Sequence, residues 1–415
     1  LPVFPCLAEC EGRDPVALPM NDRIQRRNVI RLAIAQALSM TSMNVNIINT
    51  ALVGVLLAPV AWLATLPLSL QFLTSMMVTL PASLLMARFG RRPVLIVGVL
   101  ISSLSTTCLG IAVVTANFMM FCGGSMGLGM AMGIASYYRY AAADGVPTNR
   151  RPKAIAYVLA GGLAAGLLGP EIARRTVDLV PDILYAGCFF TVAIVQLASI
   201  VALAGLKIEL PRKTASGGRP IGAFFRMPVF VVGVICCALG YALMSYLMTA
   251  TPLQVVNVAK LGTSANATII QWHVVAMFLP SFFTGSIIAR IGALRVLWAG
   301  VLFYAMTIYL AVGAITFWPY WTALVTLGLG WNFLYVGGTS LVAGVAEPEE
   351  RGRVQGFADL TTMTTVAMAS LSAGAIHSQL GWDAVSLAAL VPVTILVFAL
   401  AWLGVVQRRD PQMVV

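Results

Sequence analysis

The stretch Ala87-Arg88-Phe89-Gly90-Arg91-Arg92 decides how this chain folds, because a partial copy of it returns as Ala289-Arg290-Ile291-Gly292, 202 positions later. A second pair keeps nearly the same interval: Arg151 and Lys153 recur as Arg351 and Arg353, 200 positions on. An offset this constant marks an internal repeat. Each copy of the motif joins one apolar run to the next, so the repeating unit is a bundle of hydrophobic segments.

Between the halves, Lys207 to Phe225 is the longest polar stretch, carrying Pro211, Gly217, Gly218 and Pro220. It divides six apolar runs from six. Runs able to cross about 30 Å of hydrocarbon start near Val29, Trp62, Pro93, Asn117, Lys153, Pro181, Pro228, Ala265, Ala293, Trp318, Val354 and Trp382. The expected fold is an all-α membrane protein, with twelve transmembrane helices in two pseudo-symmetric six-helix bundles. The corresponding bounds are residues 1–28 for a leader and N-terminal tail, 29–206 for the first bundle and 207–227 for a cytoplasmic linker. The second bundle is 228–406, and 407–415 is a C-terminal tail. The proline-bearing segment before Met20 is expected to be a leader, since Met20-Asn21-Asp22-Arg23 reads as a bacterial start.

Composition agrees with this placement. Hydrophobic residues make up 59% of the 415 residues and charged ones 10%, a balance that excludes a water-soluble domain. The net charge of +11 does not point to nucleic acid, because the basic residues cluster in alternate short loops. With both termini cytoplasmic, Arg174, Arg175 and Lys260 are the three of 26 basic residues left outside. Seven cysteines, five of them within spans, give no disulfide framework. Cys6 and Cys10 lie in the tail, without partner ligands for a metal. No Gly-rich phosphate loop followed by Lys and Ser/Thr is present, which argues against ATP-driven transport. Nor is there a soluble domain to house catalysis, so the chain is not expected to be an enzyme.

The chain resembles the major facilitator superfamily over essentially all its length after Met20. Arg88, Gly90, Arg91 and Arg92 match that superfamily's Asp-Arg-x-Gly-Arg-Arg signature, while Ala87 stands in the usual Asp position and Ser83 in the usual Gly position. The resemblance implies two bundles rocking about a central cavity lined by spans one, four, seven and ten. Without the Asp, the usual charge lock of the outward-open state is not carried over. A further network of Arg139, Asp144 and Arg151 is expected at the membrane surface, at the inner ends of spans four and five.

Intramembrane polar groups are costly and so point to function. His273 sits well inside span eight with Met277 four residues on, and span seven carries Met244 and Met248 at the same spacing. Residues four apart on a helix project from one face. Span seven runs outward and span eight inward, so the two pairs fall at one depth. Thioethers are soft, uncharged donors that suit monovalent copper, and imidazole is a good additional ligand. Cys236, with Cys237 beside it, continues the face of Met244 and Met248 inward as a candidate metal path.

This joint pattern resembles that of the CcoA-type copper importers, in which the paired motifs bind the metal. The resemblance implies that Met244, Met248, His273 and Met277 hold copper as a transported ion, with no prosthetic group. It also implies import across the bacterial inner membrane for cytochrome oxidase biogenesis, with a cytoplasmic copper chaperone as a candidate partner. Relatives without the motifs resemble RfnT-type riboflavin carriers, which leaves a second cargo open, with Trp331, Tyr335 and Tyr241 as stacking surfaces. A membrane assembly factor that no longer transports is a third reading. Of the carboxylates, Glu171 and Asp359 are the two that fall within spans, and both are candidates for proton coupling. Glu171 has the alternative of pairing with Arg174 or Arg175. Gly162, Gly166, Gly169 and Pro170 resemble an antiporter signature, yet such small residues chiefly allow close helix packing.

Overall fold

The computed structural model describes residues 22–144, 151–208, 219–347 and 350–409. Among the described residues the chain is helical with short connections and no strand. Hydrocarbon supplies no hydrogen-bond partners, so a chain this apolar keeps its backbone paired within helices.

Span one is Asp22–Leu57, span two Leu66–Phe89 and span three Arg91–Val114. Span four is Phe118–Ala135, continued after a short break by Tyr138–Asp144. Span five is Arg151–Thr176 and span six Ala186–Ala204. In the second half, span seven is Pro228–Pro252, extended by a π turn at Leu253–Val258. Span eight, Gly262–Phe278, bends by 41° into Ser281–Ile291. Span nine is Ala293–Ala311 and span ten Phe317–Gly344. Spans eleven and twelve lie in Arg351–Ala388 and Leu390–Arg409, divided at Gly381, whose φ of 80° and ψ of −175° are not helical.

Eight described segments are long and apolar enough by composition alone to cross a membrane, and the bent pair of span eight makes a ninth. One of the eight, Arg353–Arg409, holds two spans because Gly381 breaks it. Spans five and ten, with 26 and 28 residues, complete the twelve. At 1.5 Å per residue each reaches roughly 40 Å.

The start of span six differs from expectation. The apolar run is expected to start near Pro181, but the helix begins at Ala186. The intervening residues form a closed turn in which the Tyr185 N–H donates to the Val177 carbonyl at 2.7 Å, with Asp182 and Tyr185 at positive φ. The linker's residues 209–218, the expected leader before Asp22, and Cys6 and Cys10 lie outside the described residues.

The repeat is visible in the backbone. Gly90 (φ 90°, ψ 161°) and Gly292 (φ 86°, ψ 152°) hold the same conformation, each capping the helix before it and opening the helix after it. That region of φ and ψ is essentially restricted to glycine, which is why both copies of the motif carry one. These turns mark one end of the molecule, the signature face, and the opposite end is the far face.

At the far face the halves pack directly together. A Cβ on Gly374 of span eleven would collide with the Thr65 side chain at the start of span two. One on Gly166 of span five would lie 3.0 Å from Val274 of span eight. Arg174 reaches across from span five to donate to the Thr268 hydroxyl on span eight at 3.1 Å. These glycines serve close packing, as small residues do in membrane helices.

Candidate functional site

Between the halves lies a cavity of about 830 Å³. Its lining extends from Gln355 and Asp359, toward the signature face, to Leu68 and Met248 nearer the far face. Spans one, four, seven and ten all contribute, and spans two, eight and eleven do as well.

One wall is aromatic. Trp331 and Tyr335, one turn apart on span ten, stack with centroids 5.2 Å apart and planes 12° from parallel. Tyr241 of span seven meets both edge-on at 5.5 Å, and Phe278 meets Trp331 at 5.9 Å. The Trp331 indole N–H is buried and has no protein partner. Such faces suit a planar, apolar ring system that also offers a hydrogen-bond acceptor.

The soft donors divide. Met244, Met248 and Met277 line this cavity, and all three are nearly buried. His273 is fully buried and does not line it. Its Nδ1 lies 2.7 Å from the Leu324 carbonyl of span ten, so Nδ1 carries the proton and donates. Nε2 is then a bare lone pair, buried with no protein partner. A ring nitrogen pinned to a backbone carbonyl with the other left free is the arrangement that metal-ligating histidines adopt. Among the described residues no three His, Cys, Asp or Glu side chains gather as a metal site, so any metal here would rest on the thioethers.

The expected cysteine path is divided too. Cys237 lines the cavity, its thiol 3.9 Å from the Tyr335 carbonyl, whereas Cys236 is fully buried against span ten beside Gly338. Gly240, between Cys236 and Met244 on the expected row, packs on Leu334 and accepts a hydrogen bond from the Tyr304 hydroxyl. The row of four-residue steps therefore faces span ten over part of its length.

Of the expected gating residues, Arg88 and Arg92 are exposed at the signature face, Arg88 lying over the Phe89 ring at 5.2 Å. Arg91 Nη1 approaches the Met86 sulfur at 3.9 Å. Arg139 lines the cavity and pairs with Asp359. The side chains of Asp144 and Arg151 lie outside the described residues. Glu171 accepts from both Arg174 and Arg175 at 2.5 Å, the pairing open to it from its sequence context.

Two polar features escape the sequence reading. Arg219, at the end of the linker, grips Glu350 at the entry to span eleven with its backbone N–H at 2.7 Å, Nε at 2.9 Å and Nη2 at 2.8 Å. On span two, Gln71 lines the cavity with neither amide atom partnered by protein. A carboxamide inside the apolar run of span two is the signal for the second feature, since a polar group within a membrane span is costly.

The Major Facilitator Superfamily pattern matches residues 32–272 and 255–413. The riboflavin transporter RfnT of Brucella anthropi is 37% identical over 365 residues, covering 87% of this chain and 92% of that protein. The uncharacterised MFS-type transporter YddS of Bacillus subtilis is 26% identical, with 76% of each chain covered. Among solved structures, a bacterial homologue of the human lysosomal transporter Spinster, inward-facing and occupied, superposes with a TM-score of 0.70 at 12% identity, covering 95% of this chain and 99% of that one. The nucleoside transporter NupG superposes at 0.64 and 15% identity, covering 90% and 98%.

Proposed function

This chain belongs to the Major Facilitator Superfamily, and from that premise we propose that it is a secondary-active carrier of a small, uncharged, planar organic solute, with riboflavin the leading candidate. The observation that carries this reading is the aromatic wall of Trp331, Tyr335 and Tyr241 inside a cavity of about 830 Å³. That space suits a ring system with a side chain and far exceeds the need of a single ion. The similarity to RfnT over most of both chains supports the same cargo. In this reading the signature face is cytoplasmic, both termini lie inside, and the closed far face leaves the cavity addressed to the cytoplasm. Asp359, which lines the cavity, is the candidate proton-coupling carboxylate.

Growth rescue of a riboflavin-requiring strain tests it, with Trp331→Leu expressed at wild-type level as the control. Rescue by wild type and not by the variant is expected. No rescue by wild type, together with no quenching of riboflavin fluorescence by the purified protein, overturns it.

A second cargo is favoured by one observation: the free Nε2 of His273, on a helix whose Met277 shares the cavity with Met244 and Met248. In that reading the cargo is monovalent copper, released to cytoplasmic thiols or a chaperone. It requires the imidazole to swing or the helix to turn, because His273 lies behind the cavity wall. Stabilisation of the purified wild type by Cu(I), absent in His273→Leu, decides for it, since a ligand that binds the native state raises apparent stability.

A further inference from the structure

The cavity has two chemically different walls. The second half supplies the ring cluster of Trp331, Tyr335 and Tyr241, and the first supplies the amides Gln36, Asn44 and Gln71, while thioethers and hydroxyls line the cavity from both halves. Gln71 is 2% exposed, and neither its Nε2 nor its Oε1 has a protein partner. Asn44 is 6% exposed, and its Nδ2 is likewise unpartnered.

The donor groups of these amides contrast with those of their neighbours. Asn46 and Asn49, on the same helix as Asn44 but absent from the cavity lining, donate to the Ser42 and Val45 carbonyls at 2.8 and 2.9 Å. An amide on a helix can therefore donate to the carbonyl one turn back, although the Asn46 Oδ1 is itself left without a protein partner. The two cavity amides are also held from behind. A Cβ on Gly129 of span four would collide with the Gln71 backbone oxygen, and one on Gly169 of span five would lie 2.8 Å from the Asn44 Cβ and 3.6 Å from its Nδ2. Close-approach glycines thus hold the neighbouring helices tightly against the segments that carry each amide.

We propose that Gln71 and Asn44 form a neutral hydrogen-bonding subsite, which reads an edge offering both a donor and an acceptor on an uncharged ligand. An imide, a carboxamide or a polyol presents such an edge. A primary amide meets it with one N–H and one carbonyl, and both of Gln71's groups lack a protein partner. A carboxylate would leave the Gln71 carbonyl unpaired, and an ammonium group would leave its N–H unpaired. The subsite therefore selects against charged ligands, because an unpaired buried polar group costs more than its bond contributes. The proposal rests on the organic-cargo reading: riboflavin has a planar ring for the aromatic wall, with an imide edge and a polyol chain for this one.

The test compares wild type, Gln71→Leu, Asn44→Leu and Trp331→Leu, each purified in detergent, by riboflavin fluorescence quenching and by thermal unfolding without ligand. Gln71→Leu is expected to weaken riboflavin binding about tenfold or more, and to unfold at the same or a higher temperature when empty, since an unpaired buried amide has been removed. Retained affinity in both amide variants, with loss in Trp331→Leu, overturns the subsite and leaves the organic cargo standing. A wild type that does not bind riboflavin removes that cargo, and the unfolding temperatures then decide the subsite. If Gln71→Leu unfolds lower than wild type, the amide is structural and the proposal is lost. An equal or higher temperature supports an amide kept free for some other neutral ligand.

Discussion

Arg139 Nη2 lies 3.9 Å from Asp359 Oδ2, an ion pair that joins span four of the first half to span eleven of the second across the cavity. Arg139 also lies over the Tyr140 ring at 4.8 Å. This chain has Ala87 at the Asp position of the signature loop, and among the described residues the Arg139 and Asp359 pair supplies a charge contact between the halves on the signature side. Its members are 30% and 34% exposed, so solvent screening keeps its worth to stability small, roughly 0 to 1 kcal/mol.

Asp359→Asn should leave the unfolding temperature nearly unchanged while altering uptake. If the carboxylate couples protons, the variant's uptake loses the dependence on external pH that wild type shows, measured in whole cells at matched expression. An unchanged pH profile would remove Asp359 from the coupling step.

The Arg219 and Glu350 contact should appear in acid stability. The Glu350 side chain is 1% exposed, and its carboxylate is pulled down to about 2, first by the Arg219 side chain and then by the Arg219 backbone N–H. A depressed carboxylate contributes fully above its unfolded value, near 4.3, and that contribution is lost as pH falls through the folded value. Thermal unfolding followed from pH 6 down to pH 2 should therefore decline less steeply in Glu350→Gln than in wild type. Parallel curves would show that the contact carries no linkage.

Gly90→Ala and Gly292→Ala should cost similar amounts, because the two residues hold the same glycine-restricted conformation. About 1 to 3 kcal/mol is expected for each. No atom lies within 4 Å of a Cβ added at Gly292, so the loss there is backbone strain and not a clash. Chemical denaturation of the detergent-solubilised variants reads it, and an unchanged Gly292→Ala midpoint would contradict the strain argument.

His273→Leu deletes the hydrogen bond to the Leu324 carbonyl. The expected stability loss is about 0.5 to 1.5 kcal/mol. Riboflavin affinity should survive, because His273 is not part of the cavity wall. Loss of Cu(I) stabilisation with riboflavin affinity intact would show that both ligands are accommodated by different residues.

Much of the fold is legible in the residues. Helix starts at Pro228 and Ala293 fall where the apolar runs begin, and Gly381 ends span eleven just before the expected start at Trp382. The repeated loop places Gly90 and Gly292 in equivalent turns. The site is less legible. Four-residue spacing puts Met244 with Met248, and His273 with Met277, on common helix faces, but it does not say what each face meets.

Sequence alone determined the twelve apolar segments, their repeat and the chemical types available in mid-membrane, because hydrocarbon thickness and backbone satisfaction act locally along the chain. Only the tertiary structure decided that Met277 lines the cavity while His273 binds Leu324 behind it, that Arg139 meets Asp359, and that Gln71 is left without a protein partner. In a helix surrounded by other helices every face is apolar, so hydropathy cannot distinguish a face packed on a neighbour from one that borders the cavity.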